Sequence, residues 1–152
     1  MDALLVRAGG RVCALPLAAV VETMRPLRVE PLAGAPDFVL GLAIVRGAPV
    51  PVVDLGACLS GERGPAGLTR FVTLRLGERR VSVALEAVIG VRSLDRAALE
   101  GAPALLGDGR SGAIAAIGRL DRELLLVLDA ARILPPAAWD AVEATAPAEP
   151  RP

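Results

Sequence analysis

Histidine, lysine, tyrosine, asparagine and glutamine are all absent from this chain of 152 residues, so every basic side chain is an arginine. Without histidine the chain lacks the usual general base and the commonest metal ligand. Without lysine it lacks the Schiff-base amine and the ammonium of a phosphate loop. No hydroxyl or thiol can be activated by an imidazole, which excludes the familiar nucleophilic triads. Two cysteines, Cys13 and Cys58, are too few for a disulfide framework and have no partners for a zinc site, so they read as small buried hydrophobes. Neither charge sign is in excess: 17 basic residues balance 17 acidic ones. That balance argues against a general nucleic-acid or membrane-surface binder. No apolar run approaches the roughly 20 residues of a membrane-spanning helix, so no membrane insertion is expected. The opening MDALLVRAGG lacks the basic region of a secretory signal, so a cytoplasmic protein is expected. Nothing points to a cofactor or a metal.

What is present is a chain rich in aliphatic residues, punctuated by 16 glycines and 13 prolines. They break the apolar runs at intervals of about ten residues, the spacing of an all-β barrel or sandwich with few short helices. An internal repeat sharpens this. VRAGGRVCALPLAAVVETMR near the N-terminus aligns with LRLGERRVSVALEAVIGVRSL from Leu74, with Gly9 on Gly77, Val12 on Val81, and Ala19 and Val20 on Ala87 and Val88. Each copy reads as a hairpin followed by a bend. VVDLGACL at 52–59 likewise matches VLDAARIL at 127–134, placing Asp54 and Asp129 in equivalent positions. The expected fold is all-β, with two similar five-stranded β-barrel subdomains sharing one core. The subdomains fall at about 2–65 and 70–134 within a domain spanning 1–134, and SGERGPAG at 60–67 links them. Pro135 and Pro136 stop the chain before AAWDAVEA, a short terminal helix in which Trp139 packs back, and the remainder to residue 152 reads as a disordered tail.

Two aspartates at equivalent places in a duplicated chain suggest the dyad of a carboxylate-dependent hydrolase. Their C-terminal neighbours, Leu55 and Gly56 in one copy and Ala130 and Ala131 in the other, lack the hydroxyl that supports such a carboxylate. Asp54 and Asp129 read instead as caps accepting hydrogen bonds from the first free N–H groups of a helical turn. GDGRSG at 107–112 has no lysine and no strand-to-helix context, so it reads as a solvent loop. The segment Pro36 to Leu59, PDFVLGLAIVRGAPVPVVDLGACL, predicts a β-hairpin whose turn presents Arg46 beside the open backbone of Gly47. Its alternating Pro49 and Pro51 predict an edge strand.

This segment resembles the CheW-like family, the coupling proteins of bacterial chemosensory arrays. The pattern lies in Pro36 and Phe38, then Gly41, Leu42, Arg46 and Gly47, then Pro51, Val52, Val53, Asp54 and Leu55, with Val20 and Glu22 upstream in ALPLAAVVETMR. The likeness runs over residues 3 to 134 and is closer in the first half than the second. Ile44 stands where the family commonly has a polar asparagine, which makes this turn more apolar. The resemblance implies two five-stranded β-subdomains around a shared core and no enzymatic activity. It implies an adaptor that joins the cytoplasmic hairpin tip of chemoreceptors to the regulatory domain of a CheA-type histidine kinase, recruited to receptor arrays at the inner face of the membrane. Val20, Glu22, Gly41, Arg46 and Gly47 would form the receptor-facing groove: Gly41 would permit close approach and Arg46 would offer its planar fork to a carboxylate or carbonyl. Kinase contacts would come from exposed hydrophobic strand edges. On the residues alone, Glu22 could instead pair with Arg46 and Val20 could be core. A divergent module with another partner, an Asp54–Asp129 hydrolase and a small-molecule carrier are the alternatives.

Overall fold

In a computed structural model of the chain, residues 1–61, 67–101 and 112–145 are described. Most of the 60–67 link, the 107–112 loop and the tail lie outside them. Eleven strands occur among the described residues: β1 (Asp2–Ala8), β2 (Arg11–Pro16), β3 (Val20–Met24), β4 (Val39–Val45), β5 (Ala48–Asp54), β6 (Arg70–Leu76), β7 (Arg79–Leu85), β8 (Ala87–Ser93), β9 (Glu100–Gly101), β10 (Ile114–Leu120) and β11 (Glu123–Leu128). Two helices, α1 (Leu55–Ser60) and α2 (Pro136–Thr145), and three single 3₁₀ turns complete the fold.

The strands form two sheets, in the orders β8-β1-β2-β11-β10-β9 and β3-β6-β7-β5-β4. Superposing the repeats, with β1–β2 on β6–β7, β3 on β8 and β4–β5 on β10–β11, turns one order into the other, apart from the two-residue β9. The two β-subdomains are therefore copies of each other, but they do not divide at the expected boundary between residues 65 and 70. β3 to β7 make one sheet, while β1–β2 joins β8 to β11 in the other. Each sheet is built from the hairpin of one repeat and the later strands of its sibling. The chain crosses between sheets at the 3₁₀ turn Leu17–Ala19 and at Glu86, whose N–H bonds to the Arg7 carbonyl at 2.9 Å. The exchange places each hairpin at the centre of a sheet, where β2 runs parallel to β11 and β7 parallel to β5.

Alternation along the strands then serves two purposes. Leu4, Val6, Cys13 and Leu15 of one sheet and Val72, Leu74, Val81 and Val83 of the other meet in a central cluster shared by both subdomains. The residues between them, Ala3, Leu5, Val12 and Ala14 in one subdomain and Phe71 and Ala84 in the other, belong to two smaller cores, one inside each sheet. Trp139 and Val142 of α2 complete the shared cluster, and the Arg79 guanidinium lies over the indole at 4.8 Å from its centroid. The two cysteines are buried in the same cluster. Burial pushes the Cys13 thiol up to about 12.

β5 is an interior strand, lying between β7 and β4, and not the edge strand that its prolines predicted. Pairing with β7 begins only at Val52, beyond both prolines. The register opposes Pro49 to Ile44 and Pro51 to Leu42 next to a tight turn that opposes Val45 to Ala48. The missing N–H groups therefore point away from β4, into the stretch where β5 has no second neighbour.

Candidate functional site

β3 and β4 are the two outer strands of their sheet, and a side-chain contact spans from one side of it to the other. The contact is made at one end by Arg46, in the two-residue turn between β4 and β5. Arg46 and Gly47 have φ of +52° and +82°, the left-handed pair of a type I′ hairpin turn. The turn aims the guanidinium across the open side of the sheet at Glu22 on β3. Nε donates to Oε2 at 3.1 Å and Nη2 to Oε1 at 2.8 Å, a two-point grip that uses the planar fork. The hydrogen bonds from Arg46 hold the Glu22 carboxyl below the usual carboxylate range, against a smaller opposing effect of desolvation. The same bonds raise Arg46.

A bulge in β3 separates the roles of its neighbours. Val20 is opposed to Leu74 and packs on the shared central cluster, whereas Glu22, after the register shift, is opposed to Thr73 and turns to the other face. Val20 is half-buried and so is both core and surface. Gly41, in β4, is buried with φ of +144°, and a Cβ there would lie 1.9 Å from the Glu30 carbonyl oxygen. Glu30 and Leu42 exchange both backbone hydrogen bonds at 2.8 Å, which seats the segment before β4 against that strand. The close approach that Gly41 permits within the chain is with Glu30. Gly47 is exposed at the turn beside Arg46.

The two aspartates do not form a dyad. Asp54 Oδ1 accepts from the Ala57 N–H at 3.2 Å at the start of α1, and Asp129 Oδ1 accepts from the Ala131 N–H at 3.0 Å at the start of a 3₁₀ turn. Each carboxylate is committed to its own turn, Asp54 buried and Asp129 partly exposed. Among the described residues no three acidic or cysteine side chains are grouped to hold a metal ion, and no helix is long and apolar enough to cross a membrane.

Sequence reasoning missed Arg75 and Arg80, which face each other directly across the β6–β7 hairpin. A two-residue Gly77–Glu78 turn fixes that register, so LRLGERR carried the signal. It also missed the exposed alternation on edge strand β8, where Ile89 is 47% and Val91 60% exposed. On β4, Ile44 is 62% exposed.

The sequence signature of the CheW-like domain matches residues 2–137. Over 109 residues the chain is 27% identical to the chemotaxis protein CheW of Klebsiella aerogenes, covering 70% of this chain and 65% of that protein's length. The fold is similar to the crystal structure of the scaffolding protein TtCheW from Thermoanaerobacter tengcongensis, with a TM-score of 0.76 at 17% identity over 90% of this chain and 94% of that one.

Proposed function

The chain belongs to the CheW-like family, and from that premise we propose that it is a chemosensory adaptor without enzymatic activity. In this reading it couples the cytoplasmic hairpin tip of chemoreceptors to the regulatory domain of a CheA-type histidine kinase, at receptor arrays on the inner face of the membrane. Residues 1–134 form the adaptor domain, and the segment from 135 to 152 is appended to it.

The observation that carries this reading is the continuous family match combined with a surface built at the matching residues. Val20 presents aliphatic area on β3, and Glu22 and Arg46 are held together beside it at the junction of β3 with the β4–β5 turn. A helical hairpin lying there could bury apolar area on Val20 and Val21, which is 39% exposed, while its polar groups meet the ends of the ion pair. The kinase domain would dock on the strand edges, where Ile89 and Val91 on β8 and Ile44 on β4 leave aliphatic side chains in solvent.

The test is sedimentation of the chain with a cognate receptor hairpin fragment and the kinase regulatory domain. Migration of all three together supports the adaptor. An Arg46→Ala variant should keep the kinase domain and lose receptor. A chain that binds neither partner under conditions where it is folded would sink the proposal.

A further inference from the structure

The end of the second sheet that carries Arg46 also collects two cations that the ion pair with Glu22 does not use. Arg75 and Arg80 are opposed residue to residue on β6 and β7. Like charges directly opposite are unfavourable unless an anion lies between or above them. Among the described residues neither has an ion-pair partner. Arg80 is half-buried and close enough to Glu22 to lower its carboxyl further. Two guanidinium groups, those of Arg46 and Arg80, thus act on one carboxylate, and Arg46 already grips both of its oxygens.

One step further inside, on the same face of the same two strands, Thr73 and Ser82 are opposed to each other, fully buried, and their hydroxyls have no hydrogen-bond partner. Buried hydroxyls without partners are uncommon. Arg46 and Arg80 also line a surface cavity of about 360 Å³, with Pro49 and Pro51 along one side and Trp139 and Glu143 of α2 along another. Glu143 is itself taken by Arg79 at 2.7 Å.

We propose that Arg80, with Arg75 beside it, forms a receptor for one acidic side chain of the docked protein partner, a glutamate or aspartate at the receptor hairpin tip. The proposal rests on the adaptor reading and adds to it a specificity-determining cation next to the Glu22–Arg46 pair. Because Glu22 saturates Arg46, the incoming carboxylate is met by Arg80.

The experiment titrates the full chain and its Arg80→Glu and Arg80→Gln variants with the receptor hairpin fragment, at low and high salt, alongside the kinase regulatory domain. Arg80→Glu should weaken hairpin binding by about tenfold or more, with Arg80→Gln intermediate and the salt dependence shallower in both. Kinase binding and thermal stability should stay at the wild-type level. Reversing the contacting acid on the hairpin, Glu→Arg, should restore binding to Arg80→Glu alone, which a purely structural role for Arg80 would not produce. Undiminished binding by both variants overturns the inference and leaves the adaptor standing. Failure of the wild-type chain to bind the hairpin overturns both.

Discussion

Arg46 and Glu22 lie at opposite edges of one five-stranded sheet and are joined through two hydrogen bonds, so the ion pair closes the sheet on itself where no backbone ladder does. This has a consequence for acid stability. The folded Glu22 carboxyl is held below its unfolded value of about 4.5. The pair's contribution is therefore fully present above that value and is lost as pH falls through the lower folded one. The melting temperature of wild type should exceed that of Glu22→Gln at neutral pH, and the gap should close as the pH falls from about 4.5 through the lower folded value. A gap that stays constant across that range would show that the carboxylate charge is not what closes the sheet.

Gly41→Ala tests the internal role of Gly41. The φ of +144° is strained for any residue with a Cβ, and the added carbon meets the Glu30 carbonyl at 1.9 Å. Strain of that kind costs about 1–3 kcal/mol before the clash is relieved. Urea unfolding should show a loss of at least about 2 kcal/mol. The same clash predicts that Gly41→Asp loses receptor binding together with fold stability. A Gly41→Asp variant with wild-type stability and no receptor binding would instead point to a direct receptor contact at this position.

The aspartate caps should differ in value although they are equivalent in the repeat. Replacing Asp54 with alanine strips a buried N–H of its acceptor at the start of a helix whose first five residues are all buried, and should destabilise by about 2 kcal/mol. Asp129 caps an exposed turn, so Asp129→Ala should cost about 0.5–1 kcal/mol. Equal losses in denaturant titration would mean that burial does not set the difference.

These positions show which parts of the molecule were legible in the chain. The caps were readable because a cap is a local bond between residues two or three apart, and the repeat was readable because each hairpin carries its own glycine turn. The partition into sheets was not, since the parallel pairing of β2 with β11 joins residues more than a hundred positions apart, and nothing local to either strand names its neighbour. The prolines of β5 misled for a related reason. Proline reports only that an N–H has no acceptor, and in β5 that holds because β7 ends its pairing short of them. The Glu22–Arg46 pair stood between these cases: both residues belonged to the motif, but their pairing depends on how far the sheet curls.

The single tryptophan is an optical probe of the shared core. Trp139 is the chain's only tryptophan, there is no tyrosine, and its ring is buried in the cluster that both sheets share. Intrinsic fluorescence therefore reports the seating of α2 on the shared core. If that cluster is one cooperative unit, the fluorescence and far-ultraviolet circular dichroism transitions in urea should coincide. Cys13 and Cys58, buried in the same cluster, should become accessible to a thiol reagent over the same range of denaturant and stay inert below it. Trp139→Ala should lower stability by about 3–5 kcal/mol, because it empties a site where indole meets aliphatic side chains on one face and Arg79 on the other. A fluorescence change that precedes the loss of β-structure would instead make α2 a separately docked element. The cavity wall beside Arg80 would then open before the sheets unfold, and receptor binding should fail at lower denaturant than the fold does.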